Sequence, residues 1–240
     1  MKNILKYAVG ALSLTLVACS PAGASGDIDR DQVEAIIQEY LLENPEIIRD
    51  ALVALNEKEE REALEAVKKD IFTDKRDVSI GPKDAKVTIV EFFDYNCGFC
   101  KKSTDWVMDT IEAHPEDVRV IFKELPLLDG RTKTSRNAAK AALAAGKQGK
   151  YSEMHVALMT ERSLTADRVD AIAEKIGLNM DVFRADMGDP KIALHLEDNM
   201  ELAGRMPMFG GTPFFIINDE YLSGANTERL DELLKDALKG

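Results

Sequence analysis

Val87-Thr88-Ile89-Val90-Glu91-Phe92-Phe93-Asp94-Tyr95-Asn96-Cys97-Gly98-Phe99-Cys100-Lys101-Lys102-Ser103-Thr104-Asp105-Trp106-Val107-Met108 is the stretch that decides the fold. Its first seven residues form an apolar, β-branched and aromatic run that reads as a buried strand. The residues after Cys100 read as a helix with one apolar face. Two cysteines therefore sit at a strand-to-helix junction, with Cys97 near the helix N-terminus, where free N–H groups and the helix dipole stabilise an anion. The thiolate is the reactive form of cysteine, so this placement activates Cys97. Cys100 lies one turn further on, close enough to close a small disulfide ring. The spacing specifies reversible dithiol–disulfide exchange through a mixed disulfide.

Two plainer readings compete. A structural zinc site needs about four Cys or His ligands, and the rest of the chain offers only Cys19, His114, His155 and His195. A purely structural Cys97–Cys100 disulfide would close a two-residue loop and constrain the unfolded chain little. No metal site and no cofactor is expected.

The N-terminus bears on compartment. Lys2 and Lys6 precede an apolar run from Tyr7 to Ala18, the length of a signal-peptide core and too short to span a bilayer. It ends in Leu16-Val17-Ala18-Cys19, which resembles a lipobox, with Cys19 as the lipidated residue. Ala22-Gly23-Ala24 is a competing cleavage site that would release a chain starting at Ser25. Either route places the mature protein in a bacterial envelope, membrane-anchored in the first case and soluble in the periplasm in the second. Cys97 and Cys100 would then be the thiols available for work on other proteins, in a compartment where disulfides persist.

The chain has 240 residues and a net charge of −12, from 31 basic and 43 acidic side chains. An acidic surface without a basic stripe argues against a nucleic-acid partner. The length suits one substantial domain plus a smaller segment. Residues 1–18 read as signal peptide and 19–26 as a tether. Residues 27–73 read as an N-terminal helical segment, broken at Asn44-Pro45-Glu46, with apolar positions Val33, Ile36, Ile37, Leu41, Leu42, Ile48, Leu52, Leu55, Leu64, Val67 and Ile71. Short amphipathic helices bury little alone, so this segment either pairs with copies of itself or docks on the main domain. Residues 74–85, with Gly81-Pro82, read as a linker. From 86 to 240 the order is β-α-β, a helical insertion at about 130–206, then β-β-α. The insertion includes Arg136–Ala145, Tyr151–Thr160, Ala166–Ile176 and Pro190–Met206. Phe214–Ile217 supplies the next strand and Thr227–Leu238 the last helix.

That order, with C-x-x-C at the first helix of the domain and Gly211-Thr212-Pro213 before the third strand, resembles an α/β thioredoxin fold with a helical insertion. It is similar to the DsbA family of periplasmic thiol–disulfide oxidoreductases. Glu91 to Lys102 is especially similar to the ScsC-like branch of that family, and Lys123-Glu124-Leu125-Pro126 also fits that branch. The resemblance implies that Cys97 attacks and Cys100 resolves. It implies that Gly98 and Phe99 tune the pair toward a milder oxidant than DsbA itself, because the dipeptide carries no histidine. It implies a cis Thr212-Pro213 bond beside the active sulfur, where the backbone can pair with an extended substrate; a plain turn is the alternative reading. Glu91 matches a buried acid that exchanges a proton with Cys100 in this family, or is an ordinary paired carboxylate. Met200, Met206 and Met208 fill core, line a peptide groove, or bind copper(I).

Three functions follow. The first is an envelope disulfide isomerase or reductase acting on other proteins, with residues 27–73 holding a homotrimer as the ScsC-like branch implies. The second is a monomeric DsbA-like dithiol oxidase kept oxidised by a membrane redox partner. The third is a copper- or client-binding chaperone without redox turnover.

Overall fold

The computed structural model describes residues 29–240; the signal peptide, the tether and Cys19 lie outside the described residues. The chain divides at Val53/Ala54 into two units. In the first, α1 (Arg30–Glu43) is opened by Asp29, whose carboxylate accepts from the Asp31 N–H. Asn44 stands where an N-cap of the next helix is expected, just before Pro45, but it serves α1. Its side-chain amide donates to the Tyr40 carbonyl at 2.8 Å and closes α1 instead. α2 runs over Glu46–Thr73. α1 buries none of its residues, and Ile36, Ile37, Tyr40, Leu42, Ile48, Leu52 and Val53 all stay exposed.

In the second unit, β1 (Val78–Ile80) precedes β2 (Val87–Phe93), α3 (Gly98–Ala113) and β3 (Val118–Glu124). The insertion comprises α4 (Asp129–Thr132), α5 (Ser135–Lys147), α6 (Tyr151–Thr160), α7 (Ala166–Lys175), α8 (Met180–Met187) and α9 (Pro190–Gly204). β4 (Phe214–Ile217), β5 (Glu220–Ser223) and α10 (Thr227–Lys239) complete the chain. The sheet order is β1-β3-β2-β4-β5, with β2 and β3 parallel and the other pairs antiparallel. The register sets Val87 against Val118 and Glu91 against both Phe122 and Phe215.

Strand side chains alternate between two cores. Val87, Ile89, Phe93, Val120, Phe122, Phe215 and Ile217 join the apolar faces of α3, α5 to α9 and α10. Val90, Phe92, Ile121, Phe214 and Ile216 form the second cluster with Leu125, Leu202, Met206, and Val67 and Ile71 of α2. This differs from the organisation read in the sequence. The end of the 27–73 segment belongs to the second unit and packs in its core, and the 74–85 linker contains β1. Lys123, fully buried on β3, explains the attachment: its ammonium donates to the Asp70 carbonyl at 2.7 Å and meets Asp77 Oδ2 at 2.5 Å. His195 Nε2 lies 3.1 Å from the other oxygen of Asp77. Met206 is buried, and Met200 and Met208 pack against the same cluster, so these methionines serve as core.

Candidate active site

The apolar run of β2 carries the chain to the centre of the sheet, and Asp94-Tyr95-Asn96 turns it into α3. Cys97 is the N-cap of α3. Its own N–H donates to the Asp94 carbonyl at 2.9 Å. Gly98, the first helical residue, has open space where a Cβ would project. Phe99 is 60 % exposed, with the Lys102 ammonium 5.2 Å from its ring centroid. The Thr212–Pro213 bond is cis, as the resemblance implies. The Thr212 carbonyl lies 3.1 Å from Cys97 Sγ, bringing together two parts of the chain 115 residues apart.

The two thiols are inequivalent. Cys97 keeps 8 % of its surface open, and Cys100 none. The Cys97 thiol is drawn down to about 5, first by a hydrogen bond from the Cys100 thiol and then, against its partial burial, by the Thr212 side chain and the Cys100 and Phe99 N–H groups. Burial drives Cys100 far up, and its hydrogen bond to the Cys97 thiolate adds to the shift. At neutral pH this is one thiolate and one thiol, the arrangement that disulfide attack requires.

Glu91 lies buried on β2, with Ser103 Oγ 3.5 Å from Oε1; the same hydroxyl donates to the Cys100 carbonyl at 3.0 Å. Oε2 has no partner among the described residues. Burial pushes this carboxyl up to about 8, Ser103 opposes that, and the Cys97 charge adds to it. The unfolded chain would ionise Glu91 near the ordinary value while the folded chain holds the proton. The folded state therefore loses stability as pH rises from about 4.5 toward 8. Glu91→Gln is expected to raise stability by on the order of 1–3 kcal/mol at pH 8 and by much less at pH 5. Denaturant titrations at both values test this, and a pH-independent difference would refute it.

Several residues that the sequence reading did not single out hold the site. The Asp94 carboxylate accepts from the Asn96 N–H at 2.7 Å, Ser135 Oγ at 2.8 Å and the Leu128 N–H at 2.8 Å. The Asn96 amide reaches the hydroxyls of Thr132, Thr134 and Ser135. Lys101 donates to the carbonyls of Leu158, Met159 and Glu161 at 3.1, 3.1 and 2.6 Å, closing the C-terminal end of α6. Glu124 accepts from Tyr95 and Tyr151. The available signal was Lys123-Glu124, a pair of charges directly after the apolar run Val120-Ile121-Phe122. His114 is the C-cap of α3, while His155 and His195 are buried. Among the described residues no group of three His, Cys, Asp or Glu side chains could hold a metal.

The profile of the DSBA-like thioredoxin domain matches residues 88–238. The chain belongs to the DsbA-like thioredoxin family. Within this DsbA-like chain, residues 29–62 also match the N-terminal domain of the copper resistance protein ScsC. A linker-deleted ScsC variant from Proteus mirabilis superimposes with a TM-score of 0.70 at 27% identity, covering 91% of this chain and 99% of that one. A thioredoxin-like oxidoreductase from Silicibacter pomeroyi gives 0.65 at 34% identity, over 72% of this chain and 98% of that one. A periplasmic thioredoxin-like protein from Salmonella enterica gives 0.63 at 30%, over 73% and 97%. Curated relatives include a Na(+)/H(+) antiporter NhaA 1 of Salinispora arenicola, 31% identical over 167 residues. The match takes in 69% of this chain and 25% of the antiporter, so the chain spans a quarter of that relative's length. The chain thus has the fold of DsbA/ScsC-like thiol–disulfide oxidoreductases, and the Cys97–Cys100 pair fits a C-x-x-C motif.

Proposed function

We propose that this protein is an envelope disulfide isomerase or reductase that acts on other proteins, with Cys97 attacking and Cys100 resolving. The observation that carries the reading is the inequivalent pair: an activated, slightly open Cys97 beside a fully buried Cys100. The Cys97 thiolate attacks a substrate disulfide, forming a mixed disulfide and releasing one substrate thiolate. Cys100 then loses its proton and attacks Cys97, releasing the second substrate thiolate and leaving the Cys97–Cys100 disulfide. The carboxylate form of Glu91, linked through Ser103 to the same turn, accepts the Cys100 proton. In isomerisation a substrate thiolate reopens the mixed disulfide instead, and Cys97 returns reduced. An extended substrate pairs with the Thr212 backbone.

Isomerisation over oxidation is supported by the N-terminal unit. Its groove of Ile37, Leu41, Leu42, Pro45 and Ile48, of about 620 Å³, leaves apolar surface to be covered by further copies of the chain. Residues 29–62 match the ScsC N-terminal domain, and a homotrimer is the assembly that the resemblance to the ScsC-like branch implies. The periplasm as compartment, by lipid at Cys19 or cleavage near Ala24, completes the reading, with a membrane redox partner that restores the working state of the pair. Refolding of scrambled ribonuclease, run beside a solution mass measurement, tests it. A multimer that reactivates scrambled ribonuclease supports the proposal. A monomer that only oxidises reduced ribonuclease would replace it with the dithiol-oxidase reading.

A further inference from the structure

Glu124, Tyr95, Tyr151 and His155 form a polar cluster inside the larger core, apart from the dithiol itself. Glu124, Tyr95 and His155 are each 1% exposed, and Tyr151 5%. Both phenols donate to the same carboxyl oxygen, Oε1, at 2.9 Å. Tyr95 Oη also lies 3.1 Å from His155 Nδ1. With the Tyr95 proton on Glu124, the ring must donate through Nδ1–H to the phenol oxygen, which fixes the tautomer. Burial pushes the Glu124 carboxyl well above the ordinary range and the His155 ring down to about 3. The cluster is thereby held without net charge. No lysine or arginine lies within ion-pair distance of Glu124 among the described residues.

A buried carboxyl without a cation is a poor stabiliser, since an apolar side chain of that size would fill the space without the desolvation cost. What the cluster does accomplish is local. Tyr95 stands two residues before Cys97, and its phenol ties the turn to Glu124; Asp94 and Asn96 tie the turn separately to Leu128 and residues 132–135. The turn in turn sets the Cys97 N–H on the Asp94 carbonyl and brings Sγ to the Thr212 carbonyl and to the Phe99 and Cys100 N–H groups.

We infer that Glu124 is a positioning residue for the attacking cysteine, acting through Tyr95 to hold the Asp94–Cys97 turn in register with the N-terminus of α3. The inference rests on the reading of Cys97 as the attacking thiol. Loosening the turn withdraws N–H donors from the thiolate, so the ionisation of Cys97 moves up and its disulfide becomes less oxidising.

The test uses the full chain with Tyr95→Phe, Glu124→Leu and Glu124→Gln. Thiolate absorbance is titrated on the reduced proteins, and reduction potentials are measured in glutathione buffers. Tyr95→Phe and Glu124→Leu are expected to weaken Cys97 ionisation about threefold, about half a pH unit. Glu124→Gln keeps an acceptor for both phenols and is expected to titrate as the parent does. Tyr95→Phe removes one oxygen only, which keeps the test open should Glu124→Leu not fold. Variants that lose thermal stability yet titrate and equilibrate as the parent would overturn the inference, and so would Glu124→Gln shifting as far as Glu124→Leu. Failure of the underlying reading shows separately, as an unmodified protein whose Cys97 has no thiolate step near pH 5.

Discussion

Cys97→Ala will reduce insulin no faster than buffer alone, and Cys100→Ala will accumulate covalent complexes with its substrates. The two outcomes differ because the two sulfurs occupy different environments one helical turn apart. Cys97 alone has an opening to solvent and a stabilised thiolate; without it no mixed disulfide forms. Cys100 is closed off and held as the thiol, so its loss leaves the attack intact and removes the group that ends the intermediate. In Cys100→Ala the Cys97 pKa is expected to rise, because the Cys100 thiol is the largest single contributor to its depression. Alkylation rates of the parent should follow the thiolate fraction, half-maximal at about pH 5 and flat above neutrality. Gel shifts of the trapped complexes under non-reducing conditions, with alkylation rates at several pH values, check both parts. Reduction of insulin by Cys97→Ala, or trapping by that variant instead of Cys100→Ala, would reverse the assignment.

The junction of β2 and α3 was legible because its signals are local: a strand dominated by valine, isoleucine and phenylalanine, then two cysteines at the mouth of an amphipathic helix. The same holds for α9 and α10, where Asp189 and Asn226 supply N-caps next to the apolar period, and for the apolar period of α6. β1 was not legible, since three residues ahead of Gly81-Pro82 carry no period of their own and become a strand only through pairing with β3. α8 was missed for its shortness, although Asn179 supplies an N-cap to the Val182 N–H. The docking of Val67 and Ile71 depends on Ile121, Phe214 and Ile216, at least 50 residues away. The stripe was visible and its partner was not. The site divides in the same way. Cys97, Cys100 and Pro213 belong to short motifs, whereas Asp94, Lys101 and Glu124 take their roles from carbonyls and hydroxyls that only the folded chain brings to them.

Deleting residues 27–53 should give a monomer that retains dithiol exchange but loses reactivation of scrambled ribonuclease. The cut falls where the chain divides, because a deletion extended to residue 73 would also remove Val67 and Ile71 from the second core and the Asp70 carbonyl from Lys123. Losing two such buried side chains costs on the order of 2–5 kcal/mol each, which would confuse instability with loss of assembly. Among the described residues the segment removed has no buried residue, and isolated helices of its length are marginal in water, so the association of copies is what would give it order. Isomerisation requires the mixed disulfide to persist while the substrate tries other pairings, and several active sites on one assembly lengthen that time by raising the effective concentration of thiolate. Oxidation and simple reduction need only one encounter and should survive. A full-length variant with Ile37→Glu and Leu52→Glu, both at exposed positions, should reproduce the monomer without any deletion. The idea fails if the full-length chain is already monomeric at micromolar concentration. It fails equally if either altered protein reactivates scrambled ribonuclease at the parental rate.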